Sequence, residues 1–248
     1  MEKEKNSKTI KSDLIYGRNA VTEALGSGKE FDTIFVQKGA SLGKIVSMAK
    51  SSGVVVKEVS DEKLTAMAGT PKHGGVAAQL AAASYSTVEE ILAVSKEKGK
   101  PPFIVIADEI EDPHNLGAII RTAEAAGADG VIIPKRRSAS LNATVFKTSA
   151  GAAAWLKVAR VANLVDTIKQ LKAQNIWVFG AEADGTPYDK ADLTGGVALV
   201  IGSEGYGLGR LVRENCDMIL SLPMYGKVNS LNASVSAGIL MYEVVKHR

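Results

Sequence analysis

The sequence predicts an α/β protein of two domains, the larger of them built on a parallel sheet with helices on both faces. Three observations carry this prediction. After Pro102, continuous apolar strands alternate with helical segments, which is the pattern of strands buried on both sides. Before residue 84 a shorter α/β alternation runs its own course, and a polar stretch ending in Gly99, Lys100 and two prolines separates the two. The 248 residues are 46% hydrophobic and 23% charged, which is enough apolar material for one large core or two modest ones and excludes disorder for most of the chain.

In the first part AVTEAL reads as helix, FDTIFVQ as strand, LGKIVSMAKSSG as a helix with a glycine C-cap, VVVKEV as strand, DEKLTAMAG as helix and GGVAAQLA as a last apolar strand. In the second, FIVIAD is a strand and NLGAIIRTAEAAG a helix with Asn115 as N-cap and Gly127 as stop. GVIIP is a strand, LVDTIKQLKAQ a helix, NIWVFGA a strand, VALVIG a strand entering a glycine cluster, MILSLP a strand and NASVSAGILMYEVVK the closing helix. The expected divisions are a flexible tail over 1–12, a first domain over 13–84, a linker over 85–100 and a second domain over 101–248. In a parallel sheet of this kind, ligands sit beyond the carboxyl ends of the strands.

Composition excludes several classes. The single cysteine, Cys216, rules out a disulfide framework or a thiolate metal cluster and suits a reducing cytosol, so a cytoplasmic location is expected. His73, His114 and His247 are too scattered for a metal site, and no metal is expected. No apolar run approaches the roughly 18–20 residues of a membrane span, and the N-terminus lacks the apolar core of a secretory signal. The net charge of +3 sits entirely in residues 1–84, with 12 Lys and Arg against 9 Asp and Glu. That bias points the first domain toward a polyanion, although a solvated surface shows an excess of this size too.

Three segments carry polar or glycine-rich chemistry. Residues 107–127 place Asp108, Glu109, Glu111 and Asp112 after a strand, with Pro113 at the turn, Asn115 opening the helix and Arg121 on its second turn. Six residues separate Asn115 from Arg121, so their side chains leave different faces, and a capped helix with a local ion pair explains the segment as well as a site does. Residues 199–210 place Gly202, Gly205, Gly207 and Gly209 around Glu204. The spacing fails the dinucleotide fingerprint because Arg210 stands where glycine or alanine is needed, and four glycines exceed what one turn requires, which favours a ligand loop. Residues 222–238 open a helix with Asn229, Ser230, Asn232, Ser234 and Ser236, suited to an anion at free N–H groups or to a heavily decorated cap. Two other features weigh less. GASLG at 39–43 matches a nucleophile elbow around Ser41, but no histidine partner is evident. The run Lys135, Arg136, Arg137 follows a strand end and reads as a phosphate contact or a solvated charge run.

Together these three segments resemble the three motifs of the SpoU/TrmH family of RNA 2′-O-ribose methyltransferases, within the SPOUT superfamily: DEIEDPHNLGAIIRTAEAAGADGVI, LVIGSEGYGLG and LPMYGKVNSLNASVSAGILMYE. IYGRNAVTEAL and HGGVAAQ resemble the N-terminal domain of the RlmB-type members. The resemblance implies a methyltransferase domain with a C-terminal trefoil knot, a small L30e-like α/β RNA-binding domain, bound S-adenosylmethionine and a homodimer. It places Ile201, Gly202, Leu222, Met224, Ser230, Leu231 and Asn232 against the cofactor, and matches Asn115, Arg121, Glu204 and Asn232 to the family's polar catalytic positions. Ala233 departs from the valine common in relatives, a conservative change. The family is described with the arginine, here Arg121, as base; a guanidinium with a pKa above about 12 is better suited to clamp a phosphate.

A 2′-hydroxyl target demands RNA and excludes DNA, and charge nominates Arg18, Lys72, Lys135, Arg136 and Arg137 as phosphate contacts. The expected reaction is 2′-O-methylation of a guanosine in 23S rRNA. A tRNA substrate is the first alternative, and a non-catalytic RNA-binding or ribosome-assembly protein is the alternative of another class.

Overall fold

The structure, a computed structural model, describes residues 14–27, 30–81 and 84–248. The expected tail over 1–12 lies outside the described residues. The chain divides into two compact units, the first ending at Ser84 and the second spanning Tyr85–Arg248.

The first unit is a four-stranded sheet ordered β1-β4-β2-β3, where β1 is Leu14–Tyr16, β2 Phe31–Gln37, β3 Val55–Val59 and β4 Val76–Leu80. β2 runs parallel to β3 and antiparallel to β4. Strand alternation divides the side chains between two cores. Ile34, Val36, Val76 and Ala78 pack with Val21 of α1 (Arg18–Gly26) and with Ile45 and Ala49 of α2 (Gly43–Ser51). Ala77 and Phe35 turn the other way, toward Leu64 of α3 (Asp61–Ala68). Ser60 caps α3 and acidic Asp61 and Glu62 fill its first turn, the favourable end for negative charge. β1 is an edge strand of three residues, too short to announce itself by periodicity.

The second unit is a six-stranded, all-parallel sheet ordered β10-β8-β9-β5-β6-β7. β5 is Phe103–Ala107, β6 Gly130–Pro134, β7 Lys157–Val161, β8 Ile176–Pro187, β9 Gly196–Ile201 and β10 Met218–Ser221. β5 and β9 are buried at every position, as apolar runs at the centre of a doubly covered sheet must be. One face packs Ile104, Ile106, Ile132, Val178 and Val200 against α7 (Leu164–Lys172) and α8 (Arg210–Asn215). α5 (Pro113–Ala125) and α9 (Ala233–Lys246) pack together, with Leu116, Ile119, Leu240 and Met241 buried. β7 completes the β6 edge, and α6 (Ala143–Thr148) packs against α5.

Two expectations are corrected. Residues 85–100, expected as a linker, belong to the second unit. Residues 88–98 form helix α4 (Val88–Lys98), closed at its start by a Thr87/Glu90 capping box. Ile91 and Leu92 enter the core, Ser86 bridges Ala159, and Lys98 reaches Asp129 at 2.9 Å. The polar residues that suggested a linker are the helix's solvent face. Asn115 is not the cap of α5 either: Asp112 accepts the His114 N–H at 2.9 Å and Pro113 occupies the first turn, where its missing N–H costs nothing. Asn115, moved one turn inward, is buried and free to serve elsewhere.

Candidate active site

Four strand ends converge at the carboxyl edge of the six-stranded sheet. β9 releases the glycine loop 202–209, β5 the acidic turn 108–112, and β10 the segment 222–232. The fourth is a bulge in β8. β10 pairs with Phe179 and Gly180, then jumps to Thr186 and Pro187 between Ile219 and Leu220. The skipped residues Ala181–Gly185 swing Glu182 and Asp184 into the site.

Together they wall a cleft of about 810 Å³, the size of a small-molecule site. Ile201, Gly202, Leu222, Met224, Ser230, Leu231 and Asn232, all expected at a cofactor, line it. Glycine is obligatory at 202, because a Cβ there would lie 2.3 Å from the Gly207 carbonyl carbon. A second cleft of about 470 Å³ adjoins the first, lined by Glu109, Glu111, Asp112, Asn115 and Arg137, and it shares Ser203, Glu204 and Tyr206 with the first.

On that shared wall three of the expected polar residues meet. Asn115 Nδ2 donates to Glu204 Oε1 at 3.1 Å, and Asn232 Nδ2 donates to Asn115 Oδ1 at 2.9 Å. Asn232 Nδ2 also donates to Glu204 Oε1, which takes a longer bond from the Ala233 N–H. Asn232 caps α9 at the same time, its Oδ1 accepting the Ser234 and Val235 N–H groups. One asparagine thus sets the start of the last helix and its distance from two other segments.

Arg121 does not join them. It is exposed on α5, lines neither cleft, and its side chain has no hydrogen bond or ion pair with the described residues. The basic run is divided as well. Arg137 is paired with Glu109 at 2.9 Å, Lys135 is part-buried with its N–H on the Val161 carbonyl, and Arg136 is exposed. In the first unit, Arg18 Nε donates to the Gly74 carbonyl at 2.9 Å and so lies against the loop that carries exposed Lys72. Ser41 is exposed and has no catalytic partner among the described residues: His73 is buried, its Nδ1 accepting the Gly75 N–H and its Nε2 directed to Thr65.

Two carboxylates that sequence reasoning did not assign hold the glycine loop. Glu182 Oε1 accepts the Leu208 N–H at 3.0 Å, while its other oxygen pairs with Arg213 Nε at 2.9 Å. Asp108 Oδ2 accepts the Gly209 N–H at 2.8 Å. Burial lifts the Asp108 carboxyl above its usual range; the Gly209 N–H opposes this and the neighbouring charge of Glu109 adds to it. Nothing in the spacing marked Glu182, since only the bulge brings it to the loop. Burial pushes the Cys216 thiol up to about 12, which leaves it unreactive at neutral pH.

Comparison with known proteins places this geometry. Residues 102–242 match the SpoU rRNA Methylase family, and residues 14–86 match the RNA 2′-O ribose methyltransferase substrate binding family. YacO of Bacillus subtilis (strain 168), named for the TrmH family of tRNA/rRNA methyltransferases, is 46% identical over 95% of this chain and 96% of its own. The AdoMet-bound rRNA methyltransferase from Sinorhizobium meliloti is 25% identical with a TM-score of 0.59, covering 96% of this chain and 88% of its own. The A. aeolicus TrmH/SpoU tRNA modifying enzyme is 28% identical with a TM-score of 0.55, and covers 60% of this chain and 76% of its own.

The first cleft fits S-adenosylmethionine. Ile201, Leu222, Met224 and Leu231 offer apolar surface for a flat base and Gly202 allows close backbone approach, while Glu182 and Asp184 on the opposite wall are both paired with Arg213. Among the described residues no group of three or more His, Cys, Asp or Glu is placed to hold a metal ion. The chain belongs to the SpoU/TrmH family and is, by that membership and this cleft, an S-adenosylmethionine-dependent RNA (ribose-2′-O)-methyltransferase.

Proposed function

We propose that the enzyme methylates the 2′-oxygen of a guanosine in 23S rRNA, acting in the cytoplasm as a homodimer with a knotted C-terminal segment. The observation that carries the reading is the Asn115–Glu204–Asn232 cluster on the wall between the two clefts. A donor held in one cleft and a ribose held in the other meet at Glu204.

S-adenosylmethionine, when bound, supplies an electrophilic methyl on a cationic sulfur. The chain's own contribution is placement. Asn115 and Asn232 fix the Glu204 carboxylate, and Glu204 receives the hydrogen bond of the 2′-hydroxyl and orients its lone pair for in-line attack. As the 2′-oxygen takes the methyl that the cofactor would supply, the hydroxyl proton leaves to Glu204 or to water. Arg121 clamps a flanking phosphate, a role its permanent charge suits.

Dimerisation is supported by an apolar stripe on α9. Val235, Ile239, Tyr242 and Val245 are exposed at helical spacing on α9, which packs along α5. Because Arg121 lines neither cleft of its own chain, the dimer is the unit in which we expect it to act. An rRNA target is supported by the extent of the likenesses, since the rRNA methyltransferase from S. meliloti spans both units and the tRNA-modifying enzyme from A. aeolicus covers 60% of the chain. Labelled methyl transfer to unmodified 23S rRNA and to unmodified tRNA, with the product mapped by mass spectrometry, tests the reading. A 2′-O-methylguanosine in rRNA is expected; label in tRNA alone overturns the target, and label in neither overturns the activity on free RNA.

A further inference from the structure

We propose that Tyr206 is the stacking platform for the base of the nucleotide whose ribose is methylated, an assignment that rests on the reading of the two clefts above. Tyr206 stands at the tip of a clip in which Ser203 and Gly207 exchange backbone hydrogen bonds, 3.0 Å in each direction. Gly205 and Gly207 make so tight a turn possible with φ of +88° and +66°. The clip is held from beneath by Glu182 on the Leu208 N–H and by Asp108 on the Gly209 N–H. A ring with 93% of its surface exposed is therefore carried on a doubly anchored loop. It packs against little in its own chain, yet it lines both clefts.

Charge decides which part of a nucleotide enters the second cleft. Glu109, Glu111, Asp112 and Glu204 line it, and Arg137, its one cation among the described residues, is engaged by Glu109. A phosphate is repelled there, whereas an uncharged base with N–H donors is not. Every base presents a π-face, so Tyr206 contributes affinity and orientation without choosing the base.

The test compares wild type with Tyr206→Ala, Tyr206→Phe and Tyr206→Trp. Titration of fluorescein-labelled unmodified 23S rRNA fragments without cofactor is one readout. The others are kcat and KM for methyl transfer, calorimetric affinity for S-adenosylmethionine, and oligomeric state by light scattering. For Tyr206→Ala we expect a loss of about 5- to 150-fold in kcat/KM or RNA affinity, the range that loss of one base–aromatic stack produces. Cofactor affinity stays within about twofold, and Phe and Trp restore the loss. An alanine variant equal to wild type overturns the proposal. So does a phenylalanine variant as weak as alanine, which would assign the hydroxyl, or a shift in cofactor affinity or oligomeric state. A wild type that transfers no methyl while its RNA affinity still depends on the ring would defeat the proposed reaction and keep the platform.

Discussion

In the first unit the buried histidine finds its partners close by: Thr65 lies eight residues from His73 and Gly75 lies two. In the second unit the polar groups of the site are bonded across the fold, with 89 residues between Asn115 and Glu204 and 117 between Asn115 and Asn232. The His73 bonds form with the loop that contains them, whereas Arg18 reaches Gly74 of that loop across 56 residues, so Arg18 and Lys72 share a surface only once the first unit's sheet has formed. The site's long-range bonds exist only once the six-stranded sheet has brought its strand ends together. The first unit's histidine is thus secured within its own loop, whereas the second unit's site is one that any disturbance of registry will damage.

The sharpest way to break this comparison is at its most connected atom. Glu204→Gln keeps an oxygen for Asn115 and Asn232 but removes the charge. We expect kcat to fall on the order of 100-fold or more, the contribution of one positioned acid–base group, with cofactor affinity nearly retained. Single-turnover methyl transfer measures it, and a variant of wild-type rate would reduce the cluster to architecture. A smaller effect is expected in the first unit. Arg18→Ala and Lys72→Ala should each weaken RNA binding several-fold across all sequences and lower the slope of log affinity against log salt by about 1. Salt titrations check this, and an unchanged slope would remove both residues from the RNA contact.

The smallest effect concerns Asp108. Its carboxyl is raised in the fold, so the stability it contributes is complete in acid, below the ordinary carboxylate value, and declines as pH rises through the raised value. Asp108→Asn keeps an acceptor for Gly209 and carries no charge. Its melting temperature relative to wild type should therefore rise between acid and neutral pH. Melting curves across that range decide the matter, and a difference that falls with pH would mean the ionised form is the one the glycine loop requires.

The central strands were legible because burial on both faces demands unbroken apolar runs, and β5, β6 and β9 have them. The glycine loop and the asparagine opening α9 were legible for a similar reason, since positive φ and helix caps restrict residue type locally. Short elements escaped: β1, α6 and α8 have three to six residues each, less than two periods of a reliable pattern, and β7 is an edge strand whose apolar run is broken by Lys157 and Arg160. The cap of α5 was misplaced by one turn although Pro113 marked the first helical position. Asn115 looked like a cap because the same amide chemistry serves a helix start or a distant carboxylate.

By itself, then, the sequence determined which segments are strands at the centre, where the backbone must turn tightly, and which polar residues have no apolar reason to be where they are. These are consequences of burial and dihedral preference, acting over a few residues. Only the tertiary structure decided that Asn115, Glu204 and Asn232 share hydrogen bonds, that a bulge in β8 brings Glu182 under the glycine loop, and that Arg121 stays outside its own chain's cleft. Each depends on the stacking order and register of parallel strands, and that information lies in contacts between segments far apart in the chain.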